Sequence, residues 1–136
     1  MVDTLSPAQR RRAMQAVKGK DTKPEWALRR RLHARGFRYR LHDPRLPGKP
    51  DLVLPRRRTA IFVHGCFWHG HDCPRGSRRP ATNQAYWEAK IARNRARDQA
   101  AEERLKAMGY RVLIVWECEL KDPDAAAERV ATALAE

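Results

Sequence analysis

Ten residues in the middle of the chain, His64-Gly-Cys66-Phe-Trp-His69-Gly-His71-Asp-Cys73, hold three of its five histidines and two of its three cysteines, and no aliphatic side chain. A segment of this composition cannot bury enough apolar surface to order itself, so a fold that includes it needs another anchor. Cys118 completes a set of three thiolates and an imidazole, the donors of a tetrahedral structural zinc site. Spacing leaves the imidazole open between His69 and His71. His71 is the better placed, because pairing it with Cys73 leaves His69 free on the same turn. An odd number of cysteines in a chain of 136 residues, long enough to build its own core, argues against a disulfide framework.

At this length one domain is expected, 1–136. Ser6-Pro7-Ala8-Gln9 has the form of a capping box and predicts a short surface helix to Val17. Thr22-Lys23-Pro24-Glu25 repeats the pattern before Trp26, Leu28 and Leu32, which recur at helical spacing until Gly36. Phe37, Tyr39 and Leu41 then alternate with Arg38, Arg40 and His42, as in a half-exposed strand. Asp51–Leu54 and Thr59–His64 flank a Pro55-Arg56-Arg57-Arg58 turn, so three strands form a meander. From Asn83, a candidate N-cap, Trp87, Ile91, Ala101, Leu105 and Met108 fall on one face of a long helix closed by Gly109. The nearly continuous apolar run Arg111–Trp116 that follows reads as a strand buried on both faces at the sheet centre, reached by a parallel crossover. Asp122-Pro123 opens an alanine-rich helix ending near Leu134. The fold class is α/β, a single-domain sandwich with a mixed sheet.

Charge narrows the partner. Residues 1–100 carry 24 basic and 8 acidic groups, residues 101–136 carry 5 and 8, and the total is +13. Such an excess points to nucleic acid. The runs Arg10-Arg11-Arg12, Arg29-Arg30-Arg31 and Arg56-Arg57-Arg58 would each pass as a solvated face, but together they favour phosphate contacts. No apolar stretch approaches the roughly 18 residues of a membrane span, and the N-terminus shows no signal-peptide pattern, so a cytoplasmic protein with no membrane partner is expected.

Asp51 opens a strand after a Gly-Lys-Pro turn, where its carboxylate is placed for a hard cation such as Mg²⁺, or merely caps the turn. Glu25 has a bland role available as the third residue of the second capping box. Two carboxylates, a free histidine and a basic surface are nonetheless the parts of metal-assisted phosphodiester hydrolysis. Phe67 and Trp68, consecutive aromatics inside the histidine-cysteine segment, cannot both point inward. They either stack on or wedge between bases, or roof the zinc site. Trp87 fits a DNA contact and the apolar stripe of the long helix equally.

Pro47-Gly-Lys-Pro-Asp51, Ile61-Phe-Val-His-Gly-Cys-Phe-Trp-His69, His71-x-Cys73 and Arg111-Val-Leu-Ile-Val-Trp-Glu-Cys118 together resemble the very-short-patch repair endonucleases, the Vsr mismatch nickases, over nearly the whole chain. The resemblance implies a sheet core related to the PD-(D/E)xK nucleases, with residues 1–20 as a DNA-contacting N-terminal helix in the minor groove and 21–136 as the catalytic core. It implies that Asp51 and the Val63 carbonyl hold Mg²⁺, that His69 activates water, that His64 lies by the scissile phosphate and that Glu25 supports the site. By the same resemblance Cys66, His71, Cys73 and Cys118 bind structural zinc, and Phe67, Trp68 and Trp87 enter the DNA stack. The Glu-x-Lys half of the usual nuclease motif is missing, with Phe62-Val63-His64 in its place, which fits this family and not an ordinary restriction enzyme.

The expected function is a strand-specific, Mg²⁺-dependent endonuclease that nicks double-stranded DNA beside a T:G mismatch. Such a protein would act as a monomer in the cytoplasm at the nucleoid, in functional association with a cytosine-5 methyltransferase. The alternatives are a Vsr-like nuclease serving a restriction or defence system, and a zinc-stapled DNA-binding module without catalysis. Asp51, His69 and Glu25 discriminate, because a pure binder has no use for them.

Overall fold

Thr22 starts the first helix as its sequence predicts, its hydroxyl accepting the Glu25 N–H at 3.4 Å with proline in the first turn. The computed structural model describes residues 22–135, so the helix expected over 6–17 and the Arg10-Arg11-Arg12 run lie outside the described residues. Helix α1 (Lys23–Ala34) buries Leu28 and Leu32, and Gly36 ends it with φ +94°. The strands are β1 (Arg40–Leu41), β2 (Leu52–Leu54), β3 (Thr59–His64) and β4 (Arg111–Trp116). Helix α2 (Gln84–Ala107) connects β3 to β4, and α3 (Pro123–Ala135) closes the described chain.

The sheet runs β1-β2-β3-β4, with antiparallel pairs in the meander and a parallel pair between β3 and β4, so it is mixed as expected. Strand alternation sorts the side chains into two layers. Leu52, Leu54, Ile61 and Val115 pack with Leu28 and Leu32 of α1 and Ala127, Val130 and Leu134 of α3. Ala60 and Phe62 pack with Val112, Ile114 and Leu105 of α2. Helices therefore cover both faces, and each fully buried leucine or valine contributes about 1.5–3 kcal/mol.

Three local expectations change. Among the described residues strand β4 is not the sheet centre but an edge, because the meander occupies one side of β3 and β4, on the other, pairs with no further strand. Its apolar run reflects cover by helix layers above and below, which is separate from edge pairing, and only Val115 is fully buried. The strand read over 37–41 shrinks to Arg40–Leu41, with Leu41 exposed while Phe37 and Tyr39 pack on the α1–α3 core. On α2, Ile91, Ala101 and Leu105 are buried as predicted but Met108 is exposed. Asn83 precedes the helix in a left-handed conformation without a side-chain cap.

Two arginine runs also make contacts within the fold. Arg29 is buried between the Glu25 carboxylate at 3.4 Å and the Trp26 ring at 3.7 Å. Arg31 and Arg35 tie α1 to α3 through Asp124 at 2.8 Å and Glu128 at 2.7 Å. Arg57 donates to the Leu134 carbonyl at the end of α3, and Arg58 to the Met108 carbonyl at the end of α2, each at 2.8 Å. Arg30 and Arg56, both exposed, make none of these contacts.

The turn that delivers Asp51 depends on Gly48. Its φ is +77°, and a Cβ there would lie 2.9 Å from the Ala101 Cβ and 3.2 Å from the Phe62 ring. Gly48→Ala should therefore destabilise the protein by about 1–3 kcal/mol, read as a lower urea midpoint at unchanged slope. An unchanged midpoint would show that the turn can shift at no cost.

Candidate active site and metal centres

The Pro-rich turn, the end of β3 and the start of α1 converge at one end of the sheet. Asp51, half-buried just ahead of β2, accepts the Val63 N–H through Oδ2 at 2.7 Å. An extended residue turns its N–H and C=O toward the same neighbouring strand, so the Val63 carbonyl faces the Asp51 side as well. Burial pushes the Asp51 carboxyl up from its usual range, against the pull of the Val63 N–H and of His42 and His69. Glu25, only 2% exposed, faces inward from α1. Its Oε1 lies 2.9 Å from His42 Nε2 and 3.4 Å from Arg29, so a cap is not its main employment.

His64 and His69 stack face to face, with centroids 3.8 Å apart and planes within 2°. The His69 Nδ1 sits 2.5 Å from Asp98 Oδ2 on α2. A carboxylate on Nδ1 fixes the tautomer and leaves the lone pair on Nε2, the arrangement of an oriented general base. His64 is driven down to about 4, first by burial and then by His69, so it is neutral near pH 7. The pair opens on a cleft of about 420 Å³ also lined by Arg95, Asp98 and Trp116.

The segment after β3 forms a run of turns, with the His69 N–H on the Gly65 carbonyl and the His71 N–H on the Cys66 carbonyl. Gly70, at φ +62°, lets it lie against α2, since a Cβ would be 2.7 Å from Ile91. One ligand atom from each of Cys66, His71, Cys73 and Cys118 falls within 4.8 Å of the other three. Of the two imidazoles left open by spacing, His71 joins the cysteines and His69 joins His64 and Asp98. Backbone N–H groups already serve the sulfurs, Cys118 to Cys66 Sγ at 3.3 Å and Gly76 to Cys73 Sγ at 3.2 Å. His71 presents Nδ1 to Cys118 Sγ at 3.6 Å and Nε2 to Asp72 at 3.5 Å. Burial pushes the Cys66 thiol up to about 12, whereas at Cys73 burial is outweighed by the Gly76 N–H, His71 and the other thiols, which bring it down to about 6. This donor set fits zinc, which would take the thiols as thiolates.

Phe67, Trp68 and Trp87 form one cluster, with ring centroids 5.2–5.8 Å apart. Trp68 is 40% exposed, Phe67 and Trp87 are half-buried, and Tyr86, which sequence reasoning passed over, adds a more exposed ring against Trp87. Asn94 on α2 donates to the Trp68 carbonyl at 2.9 Å and so holds the tip of the segment.

Sequence reasoning also missed His42, Asp98 and Trp116. Asp98 had a signal, as a lone carboxylate between Arg97 and Gln99 on the apolar stripe of a basic helix. Trp116 looked like the last residue of a buried strand, yet it stacks on His71 at 4.1 Å and meets His64 edge-on at 5.3 Å. No helix among the described residues is long and apolar enough to cross a membrane.

Comparison with known proteins places this geometry. The family described as DNA mismatch endonuclease Vsr matches residues 2–75. The chain is 55% identical over 122 residues to the type II nicking enzyme V.XorIIP of Xanthomonas oryzae pv. oryzae, covering 90% of this chain and 89% of that protein. It is 43% identical over 121 residues to the DNA mismatch endonuclease Vsr of Escherichia coli, covering 89% and 77%. It is 43% identical over 130 residues to the type II nicking enzyme V.NmeAIP of Neisseria meningitidis, covering 96% and 92%. The non-catalytic alternative falls with these matches, and the chain belongs to the DNA mismatch endonuclease Vsr family.

Proposed function

We propose that this endonuclease nicks one strand of duplex DNA beside a T:G mismatch, with Mg²⁺ at Asp51 and zinc at the four-residue cluster. The observation that carries the reading is the Asp51 carboxylate, held by the Val63 N–H and near enough to His69 to feel its charge, with His69 oriented by Asp98 and adjoining the exposed Trp68. Asp51 and the Val63 carbonyl would hold the cation, with Glu25 in support. When bound, that ion would polarise the scissile phosphate and make its water more acidic. His69 Nε2 takes the proton of the attacking water while Asp98 holds the ring in place. His64, kept neutral, stacks on His69 and can offer a hydrogen bond to the phosphate without adding a second cation beside it.

Recognition would come from aromatic wedging. A mismatched pair is cheaper to unstack than a matched one, so an inserted ring discriminates by deformability and not by reading base edges. Arginines bind any duplex, Arg10, Arg11 and Arg12 among them, and that binding weakens with salt. The two contributions separate by mutation. Trp68→Ala should remove most of the preference for T:G over matched duplex while leaving salt-sensitive binding nearly unchanged. Competition binding at fixed salt reads this out, and a variant with full mismatch preference would mean that the aromatics merely roof the zinc site.

A second reading is favoured by names alone. Several relatives are called type II nicking enzymes, so nicking in the service of a restriction system fits the same site. Comparing T:G duplexes in varied flanking sequence against fully paired duplexes tests the proposal. Mismatch-independent cutting at one paired sequence would replace the repair reading with the restriction reading. A monomer in the cytoplasm, working beside a cytosine-5 methyltransferase, completes the proposal.

A further inference from the structure

His42 belongs to none of the roles above, yet its ring lies between both carboxylates of the site. Its Nε2 is 2.9 Å from Glu25 Oε1 and its Nδ1 is 3.8 Å from Asp51 Oδ1. Its backbone N–H donates to the Asp51 carbonyl at 3.1 Å, which ties the two residues together through the main chain as well. Glu25, His42 and Asp51 each bring one ligand atom to within 4.8 Å of the other two.

An imidazole meets an ion through one nitrogen, so the two contacts divide: Glu25 holds Nε2, and Nδ1 is left to face Asp51 and an ion. Donors around a divalent cation at about 2.1 Å stand roughly 2.9 Å apart when adjacent and 4.2 Å apart when opposite. The 3.8 Å between Asp51 and His42 falls inside that range and is too long for a hydrogen bond. The donor chemistry also departs from a pure oxygen site. Mg²⁺ takes carboxylates, carbonyls and water, while an imidazole nitrogen is a better donor to first-row transition ions.

We propose that His42, through Nδ1, is a third protein donor of the cation site, beside Asp51 and the Val63 carbonyl and with Glu25 holding its Nε2, and gives this site a relative preference for first-row ions such as Mn²⁺ over Mg²⁺. The inference rests on the reading that Asp51 holds the cation. His42 sits at φ +49°, a conformation asparagine tolerates, so His42→Asn removes the imidazole with little demand on the backbone.

The test uses the full chain carrying its zinc, without DNA, titrated with Mn²⁺ and followed by electron paramagnetic resonance, with Mg²⁺ as competitor. The native protein should bind one Mn²⁺ outside the cysteine cluster, with nitrogen coupling in the pulsed spectrum. His42→Asn should lose that coupling and weaken Mn²⁺ by about tenfold or more, with a much smaller change for Mg²⁺. His42→Gln, a second variant, should behave alike, and zinc content and melting temperature check that both are folded. Nitrogen coupling that survives in both variants, or equal weakening of both ions, overturns the proposal, since His42 would then only set local charge. Asp51→Asn separates the two levels. Undiminished Mn²⁺ binding in that variant sinks the parent reading, whereas loss there with no loss in His42→Asn sinks this inference alone.

Discussion

Asp51→Asn is expected to lower the single-turnover nicking rate by about 10³-fold or more while leaving DNA affinity equal or improved. A bound cation stabilises transition-state charge by several kcal/mol, and each 1.4 kcal/mol is tenfold in rate. The amide is chosen because its oxygen can still accept the Val63 N–H, so that no buried donor is orphaned. The fold should gain slightly. Burial raises the Asp51 carboxyl above its usual 3.8, so the folded state resists ionising it. The gain from a neutral amide is therefore absent below pH 3.8, grows as pH rises through the raised folded value, and is complete above it. Fluorescence anisotropy with a T:G duplex reads affinity, and gel-resolved cleavage reads the rate. A variant that nicks at the native rate would remove Asp51 from the chemistry.

The second large effect falls on Cys118→Ser, expected to lose zinc and with it most activity. The four-residue cluster joins the segment after β3 to the turn Glu117–Lys121 after β4. Apparent zinc binding energies of about 10–16 kcal/mol in small domains rival the whole stability of a protein this size, about 5–15 kcal/mol. The two apolar layers include none of these residues, so the sheet and helices should survive better than residues 65–82. His69 and Trp68 ride on that segment, which is why activity should fall even where the sheet persists. Elemental analysis and thermal melting decide. A Cys118→Ser protein with one zinc and an unchanged melting curve would contradict the ligand set.

The parts of the fold legible in the sequence were those set by local chemistry. Thr22 with Pro24 and Glu25 fixed the start of α1, and the short runs Asp51–Leu54 and Thr59–His64 around a charged turn marked the strands β2 and β3. The edge position of β4 was not legible, because an apolar run reports burial of faces and carries no record of neighbours along the sheet. The same limit hid the roles of Arg57 and Arg58, whose carbonyl partners stand 77 and 50 residues away. In the site, the cysteine-histidine cluster stood out because three of its four residues, Cys66, His71 and Cys73, are close in sequence. His42 and Asp98 did not, since each joins a partner brought by another element: Glu25 from α1 for His42, and His69 from the turns after β3 for Asp98.

The most direct measurement is strand-resolved single-turnover cleavage of two duplexes that differ only in one T:G or T:A pair, each strand carrying its own end label, with and without Mg²⁺. The predicted result is one nick, in the strand containing the T, on the T:G duplex alone and only with the cation present. Equal cutting of both duplexes, cutting of both strands, or cutting that persists in a chelator would contradict it.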